Sequence, residues 1–458
     1  MKKEQLSDVI GNLSDDLLSE AKRKPEKKAR RRYPIWVGSA AAVLAVVFFI
    51  TGVLGNSTPT AAASCLASPE YPSATDNQIR DKIRTLFSEG AGLDFYKESS
   101  KIVLGNTEGK NVVYSPLNLY FALSMLAECA EGESRQQILD ALGTESVDAL
   151  RETVNTFWKA SFENDEYGRA TLANSVWLSD KTFYIADTVK RLADDYFASA
   201  YMGKMGSKEL DKALQEWLDK ETDGLLKEQV KNVETDELTL VMLASTLYYR
   251  SRWTYEFSPN DNTEGTFHGA DGDENATFLN KNSDEVYYYG DNFGAIALPQ
   301  SNGGSVWLIL PDEGISAEEL ARQGLPLEIV NTIGMGDGIE STYCKVNFSM
   351  PKTDIHSGLN LIDALKEMGV SDVFDKETAN LYGLLLEDCD AWVDVVKQEA
   401  RLAMDEQGVT AAAFTVETLC GAAIPKDTVD FILDRPFLVV VTNPYNLPVM
   451  TAIVNSVA

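Results

Sequence analysis

The sequence predicts an α+β domain. Helical patterns fall mostly in the first half of the chain and strand patterns mostly in the second, and no repeat period links them. At 458 residues, 44% hydrophobic and 24% charged, the chain can bury one large core or two ordinary ones.

Residues 4–21, "EQLSDVIGNLSDDLLSEA", set Leu6, Ile10, Leu13 and Leu17 on one helical face, which suits a short helix docked on a membrane or a partner. From Ile35 to Leu54 twenty residues carry no charge, enough for a helix to cross a bilayer. "KRKPEKKARRR" just before it holds eight positive charges against one negative. The positive-inside rule then assigns residues 1–34 to the cytoplasm and everything past 54 to the outside. A cleaved secretory signal is the rival, but the basic segment and the apolar run are both longer than usual for one. The expectation is a single-pass anchor with its transmembrane helix over 35–54. Cleavage or lipidation near Cys65, in "AAASC", is the alternative. Residues 55–78 are mostly small and include prolines, and read as a flexible extracellular linker ahead of a domain over 79–458.

Within that domain Ser115–Pro116 is a helix start, a side-chain cap followed by a residue that needs no amide donor. That helix should stop near Gly132, and a second should run from just after Ser134 to a left-handed cap at Gly143. "SKELDKALQEWLDKETDGLL" is amphipathic and ends near Gly224, and "LTLVMLASTLYYRSRW" reads as a long buried strand. "AIALPQSNGGSVWLILP" predicts a hairpin turning at Asn302–Gly304, and "FLVVVTNPYNLPVMTAIVNSV" a second one.

The net charge is −29, yet residues 1–34 carry ten Lys/Arg against six Asp/Glu, so the acidity belongs to the remainder. That balance argues against nucleic acid, which needs a basic face, and favours encounter with basic partners. The five cysteines (65, 129, 344, 389, 420) are odd in number and irregular in spacing, which supports no disulfide framework. His268 and His356 stand alone, without the local His/Cys partners of a metal pair. No GxGxxG, Walker loop, HExxH or GxSxG is present. The sequence thus implies neither an enzyme nor a cofactor or metal.

One stretch is out of place. "DEQGVTAAAFTVETLCGAAIP", Asp405–Pro425, is rich in strand-forming residues but lies between two segments that already read as strands. Four ordered blocks explain it. They are "NVVYSPLNLYFALSMLAECAEGESRQQILDALG", "LVMLASTLYYRSRWTYEFSPNDNTEGTFHG", "VNFSMPKTDI…LIDALKEMGVSDVFD", and "DEQGVTAAAFT" followed by "FILDRPFLVVVTNPYNLPVMTAIVNSV". From Ile79 to Val457 the chain resembles the serpins.

The resemblance implies a single domain of three β-sheets and eight or nine helices, bearing an exposed reactive-centre loop. In inhibitory members a target protease attacks one bond of that loop and becomes acylated. The cut loop then enters the central sheet as an extra strand and carries the protease with it. On this reading the hinge is Glu406, Gly408, Val409, Thr410, Ala411, Ala412 and Ala413. Counting from Glu406 puts the scissile bond at Ala422–Ala423. An alanine before the cut suits elastase- or subtilisin-like proteases, while Leu419 is the nearest larger apolar residue and serves if the count is off. Side chains alternate along an inserted strand, so Val409, Ala411, Ala413, Thr415, Glu417 and Leu419 would face the core. Glu417 is the misfit, because an unpaired buried carboxylate costs several kcal/mol.

The resemblance also implies a polar shutter beneath the sheet, made here of Ser115, Asn118, Ser245 and Gln398. Asparagine and serine have traded places relative to the family's usual pattern, and glutamine stands for the usual histidine. Trp253 matches the tryptophan at the top of the sheet, the breach, where insertion begins. Val409 replaces the usual Thr or Ser after the hinge glycine. The expected partner is a serine protease, or a cysteine protease, since the trap works on any acyl-enzyme. The expected form is a monomer anchored in the cell membrane with its serpin domain outside, an arrangement that suits a Gram-positive bacterium. A non-inhibitory binding module or protease substrate is the alternative.

Overall fold

The computed structural model describes residues 42–52, 63–71, 77–88, 90–164, 168–332, 339–386, 390–409 and 427–457. Its strand patterns resolve into two hydrogen-bonded sheets. The large sheet takes β1 (Ala42–Gly52), β2 (Ser64–Ala67), β4 (Glu163–Asn164), β5 (Gly168–Ser179), β6 (Ala198–Gly203) and β7 (Thr239–Arg252). From later in the chain come β13 (Thr353–Asn360), β14 (Ala391–Met404) and β15 (Gly408–Val409). Its order is β13–β14–β1–β7–β5–β6–β2, with β4 on β5 and β15 on β7.

The second sheet is built from β3 (Val112–Tyr114), β8 (Thr263–Gly269), β9 (Gly272–Tyr289), β10 (Phe293–Pro299), β11 (Ser305–Pro311) and β12 (Glu340–Pro351). It is completed by β16 (Thr428–Ile432), β17 (Phe437–Thr442) and β18 (Pro448–Val454). Here the order is β16–β12–β9–β10–β11–β17–β18–β3, with β8 on β9. The 18 residues of β9 serve two sheets at once: every one of them pairs with β8 or β12, and only Tyr288 and Tyr289 reach β10. The three-sheet plan is therefore present with two of its sheets joined along β9.

Around β5 and β7 the large sheet is covered on both faces, which is why β7 reads as an almost unbroken apolar run. Leu172, Val176, Leu243 and Leu247 pack into the main core with the helix Pro116–Cys129. Trp177, Met242, Ala244 and Tyr248 pack on the other face beneath Leu210, Leu214 and Trp217 of the helix Lys208–Glu221. Ser115 caps the first of these helices by accepting the Asn118 N–H at 3.0 Å, with Pro116 in its first turn. The hairpin of β10 and β11 turns at the expected place, and β17 and β18 form the second hairpin expected.

Four expectations change. The second early helix spans Gly132–Leu142, starting before Ser134 rather than after it, because the Ser134 hydroxyl accepts the Asn380 amide at 3.0 Å and does not cap the helix. Eleven α-helices occur among the described residues against the eight or nine implied, the first long one being broken around Gly90–Gly92 and Lys227–Val230 forming a single turn. Within the expected linker, Ser64–Ala67 adds a strand to the exposed edge of the large sheet at β6, and Tyr71 stacks on Trp158 with ring centroids 5.1 Å apart.

The largest change concerns the expected transmembrane helix. Ala42–Gly52 is a β-strand in the middle of the large sheet, and no helix among the described residues is long and apolar enough to cross a membrane. An uncharged run of Val, Ile and Phe is as good a central strand as it is a bilayer helix, and periodicity cannot separate the two. Residues 1–41 lie outside the described residues.

Glu128, 1% exposed, ties three helices together. Arg151 donates to it at 2.9 and 3.0 Å, Arg191 at 2.5 Å and the Tyr196 hydroxyl at 3.2 Å. Burial alone would raise this carboxyl, but the two guanidinium groups outweigh it and hold the carboxyl below its usual range. Removing the anion strands two cations, so Glu128→Ala should cost about 3 kcal/mol in urea unfolding at pH 7. Because the folded carboxyl is depressed, that stabilisation is complete above the unfolded value of 4.5 and fades as pH falls below it.

Candidate functional site

β14 rises through the large sheet and ends at Met404 in a tight turn, Asp405–Gly408, that leads the chain back down as β15. The Asp405 carboxylate accepts the Gln407 amide at 2.8 Å and closes the turn. Gly408 adopts φ +128, a backbone that side chains disfavour, and a Cβ there would lie 2.5 Å from the Trp253 nitrogen and 2.6 Å from the Arg252 Cα. Only glycine lets the chain lie that flat against the end of β7.

Trp253 is the plate on which the turn rests. It is 2% exposed, donates its indole N–H to the Asp405 carbonyl at 2.9 Å, and donates its backbone N–H to the Gln407 carbonyl at 3.3 Å. Glu406 is held from the other side. Its carboxylate pairs with Lys352 at 2.5 Å and accepts from the Asn262 amide at 2.6 Å, while its carbonyl accepts the Phe257 N–H at 2.9 Å. Partial burial pushes this carboxyl up, but Lys352 and the local donors overcome it and leave it below the usual carboxylate range. Lys352, Asn262 and Phe257 are site residues that the sequence reading missed. Two of the quoted blocks contain them, "VNFSMPKTDI" and "YEFSPNDNTEGTFHG", but nothing local ties either block to Glu406.

Ser115, Asn118, Ser245 and Gln398 come together under the middle of the large sheet, all fully buried. The Ser245 hydroxyl donates to the Asn118 amide oxygen at 2.5 Å, and the Asn118 amide donates to the Ser245 carbonyl at 3.2 Å. Gln398 accepts the Ser115 N–H at 2.9 Å and donates to the Ser115 carbonyl at 3.2 Å, and the Ser115 hydroxyl donates to the Val449 carbonyl at 2.6 Å. The traded asparagine and serine thus still bond to each other, and the glutamine spans the place of the histidine. The network joins the helix Pro116–Cys129 to β7, β14 and β18, the strands that flank β1 among them.

Of the remaining expected residues, Val409 is described through its pairing with Ser251. Thr410, Ala411, Ala412, Ala413, Glu417 and the bond Ala422–Ala423 lie outside the described residues. The chain returns at Asp427 and enters β16, parallel to β12. His268 makes an exposed contact with Asp273 at 2.7 Å, and that carboxylate raises its pKa; His356 sits on β13 opposite Arg401.

Comparison with known proteins agrees with this architecture. The family model for serpins, described as serine protease inhibitors, matches residues 89–455. The plant protein Serpin-ZX of Arabidopsis thaliana is 28% identical over 354 residues, covering 73% of this chain and 89% of its own. The native structure of tengpin, a thermophilic serpin, superposes with a TM-score of 0.70 at 22% identity, covering 86% of this chain and all of tengpin. Human thyroxine-binding globulin superposes with a TM-score of 0.68 at 15% identity, covering 83% of this chain and all of its own. The chain belongs to the serpin family, described as inhibitors of serine proteases rather than enzymes.

The grip on Glu406 gives a pH prediction. Its depressed carboxyl contributes stability in full above the unfolded value of 4.5 and loses it as pH falls below that value. Glu406→Gln should therefore lower stability by about 1 kcal/mol at pH 7, since the pair is partly exposed. Chemical denaturation of both proteins at several pH values should show the difference disappearing in acid.

Proposed function

We propose that this chain inhibits serine proteases by suicide trapping. The protease acylates at Ala422–Ala423, and the freed segment from Thr410 onward enters the large sheet between β7 and β14. The observation that carries this reading is β15. Its two residues already pair with the upper end of β7 at the mouth of the gap, held there by Trp253, Glu406 and Gly408. The small residues Ala411–Ala413 favour passage between existing strands, and the alanine before the proposed bond favours elastase- or subtilisin-like targets. The buried polar network of Ser115, Asn118, Ser245 and Gln398 would break and re-form as the strands part.

A second reading, a serpin that is cut without trapping or that serves as a binding module, is favoured by one feature: the gap already holds β1. Localisation at a cell membrane, with residues 1–34 cytoplasmic and the serpin domain outside, rests on the basic segment and the uncharged run that follows it. It requires that Ala42–Gly52 leave the sheet, because one segment cannot be a bilayer helix and a central strand at once.

The test is incubation of the full chain, and of Val46→Pro, which weakens β1, with elastase, subtilisin, chymotrypsin and trypsin. A complex that survives denaturing electrophoresis, with a released peptide beginning at Ala423, is expected with the small-residue proteases. Clean cleavage without a complex in both proteins would overturn trapping and leave the substrate reading.

A further inference from the structure

β1 occupies the place that an inserted loop would take. β15 pairs antiparallel with β7 as Gly408 with Arg252 and Val409 with Ser251. If the loop were inserted in that register, Ala411 would lie opposite Tyr249, the residue that pairs with Ala42 now. Leu419 would then lie opposite Val241, which pairs with Ile50 now. β1 is antiparallel to both β7 and β14, so it runs in the direction the loop would run, and its 11 residues span the shared length of those strands. Beyond Val409 the loop and β1 exclude each other residue for residue.

The sequences of the two occupants are unequal. "AVLAVVFFITG" holds no charge, whereas an inserted loop in this register would set Glu417 opposite the fully buried Leu243, which pairs with Phe48 now. An unpaired carboxylate is disfavoured there and an apolar run is not. Both flanking strands also have their inward-facing backbone groups satisfied by β1, so the loop gains no bonds by arriving.

We propose that Ala42–Gly52 is a built-in competitor of the reactive loop, which holds the inhibitor off while it lies in the sheet and switches it on when it leaves. The proposal rests on the trapping function above, and part of its test needs no protease. In the full chain, Val47→Cys with Lys397→Cys joins directly paired positions, as does Ala45→Cys with Glu399→Cys. Neighbouring strands hold such pairs within disulfide reach. A labelled peptide of sequence TAAAFTVETL, copying residues 410–419, reports whether the gap can accept a loop strand.

The expected result is that either pair oxidises in the folded protein, with peptide mapping to confirm the bond. The oxidised protein then excludes the peptide and is cut by protease without being trapped, while reduction restores both activities. Val46→Pro should take up the peptide at least tenfold faster than the unmodified chain. The proposal is overturned if neither pair oxidises in protein that still unfolds cooperatively. It is equally overturned if the oxidised protein takes up the peptide as fast as the reduced one. Peptide exclusion without trapping in any form would support the competitor and refute the trapping function instead.

Discussion

Everything in this molecule turns on the backbone groups that β7 and β14 present to each other. The two strands run parallel and lie one strand apart in the interior of the large sheet, so their facing N–H and C=O groups need a peptide partner. That demand can be met by any extended segment of about eleven residues whose side chains suit the two faces. The chain owns two such segments, one ahead of the folded domain and one in the stretch between β15 and β16, and only one can be seated at a time.

The hinge is arranged so that this choice is made at one place. Trp253 and the Lys352–Glu406 pair fix the turn above the gap, and Gly408 lets the chain pass over the end of β7 without a side chain in the way. Below, the buried amides and hydroxyls of Asn118, Ser245, Ser115 and Gln398 tie the central strands to the helix beneath them. On the proposed trapping function, those few bonds would break and re-form when a strand is exchanged in this sheet. Such a network makes opening a discrete event rather than gradual loosening.

Much of this was legible in the sequence wherever the signal is local. The buried run of β7, the Ser115–Pro116 helix start, the Gly143 cap and both hairpin turns follow from short-range pattern alone. The hinge and the four polar residues under the sheet were reached through family resemblance, since no local pattern joins Ser115 to Gln398. Lys352 and Asn262 escaped because their partner Glu406 is distant in sequence and any lysine or asparagine could have served. The fate of Ala42–Gly52 was missed for a physical reason: an uncharged apolar run satisfies the demands of a bilayer and of a central strand equally well. The surroundings decide between them.

Hydrogen exchange of the full chain, read by mass spectrometry before and after cleavage of the loop by a target protease, tests the shared gap most directly. The account predicts slow exchange across Ala42–Gly52 in the uncut protein. After trapping, protection should vanish from that segment and appear across residues 411–419. Fast exchange over Ala42–Gly52 in the uncut protein, or protection of both segments at once after cleavage, would contradict it.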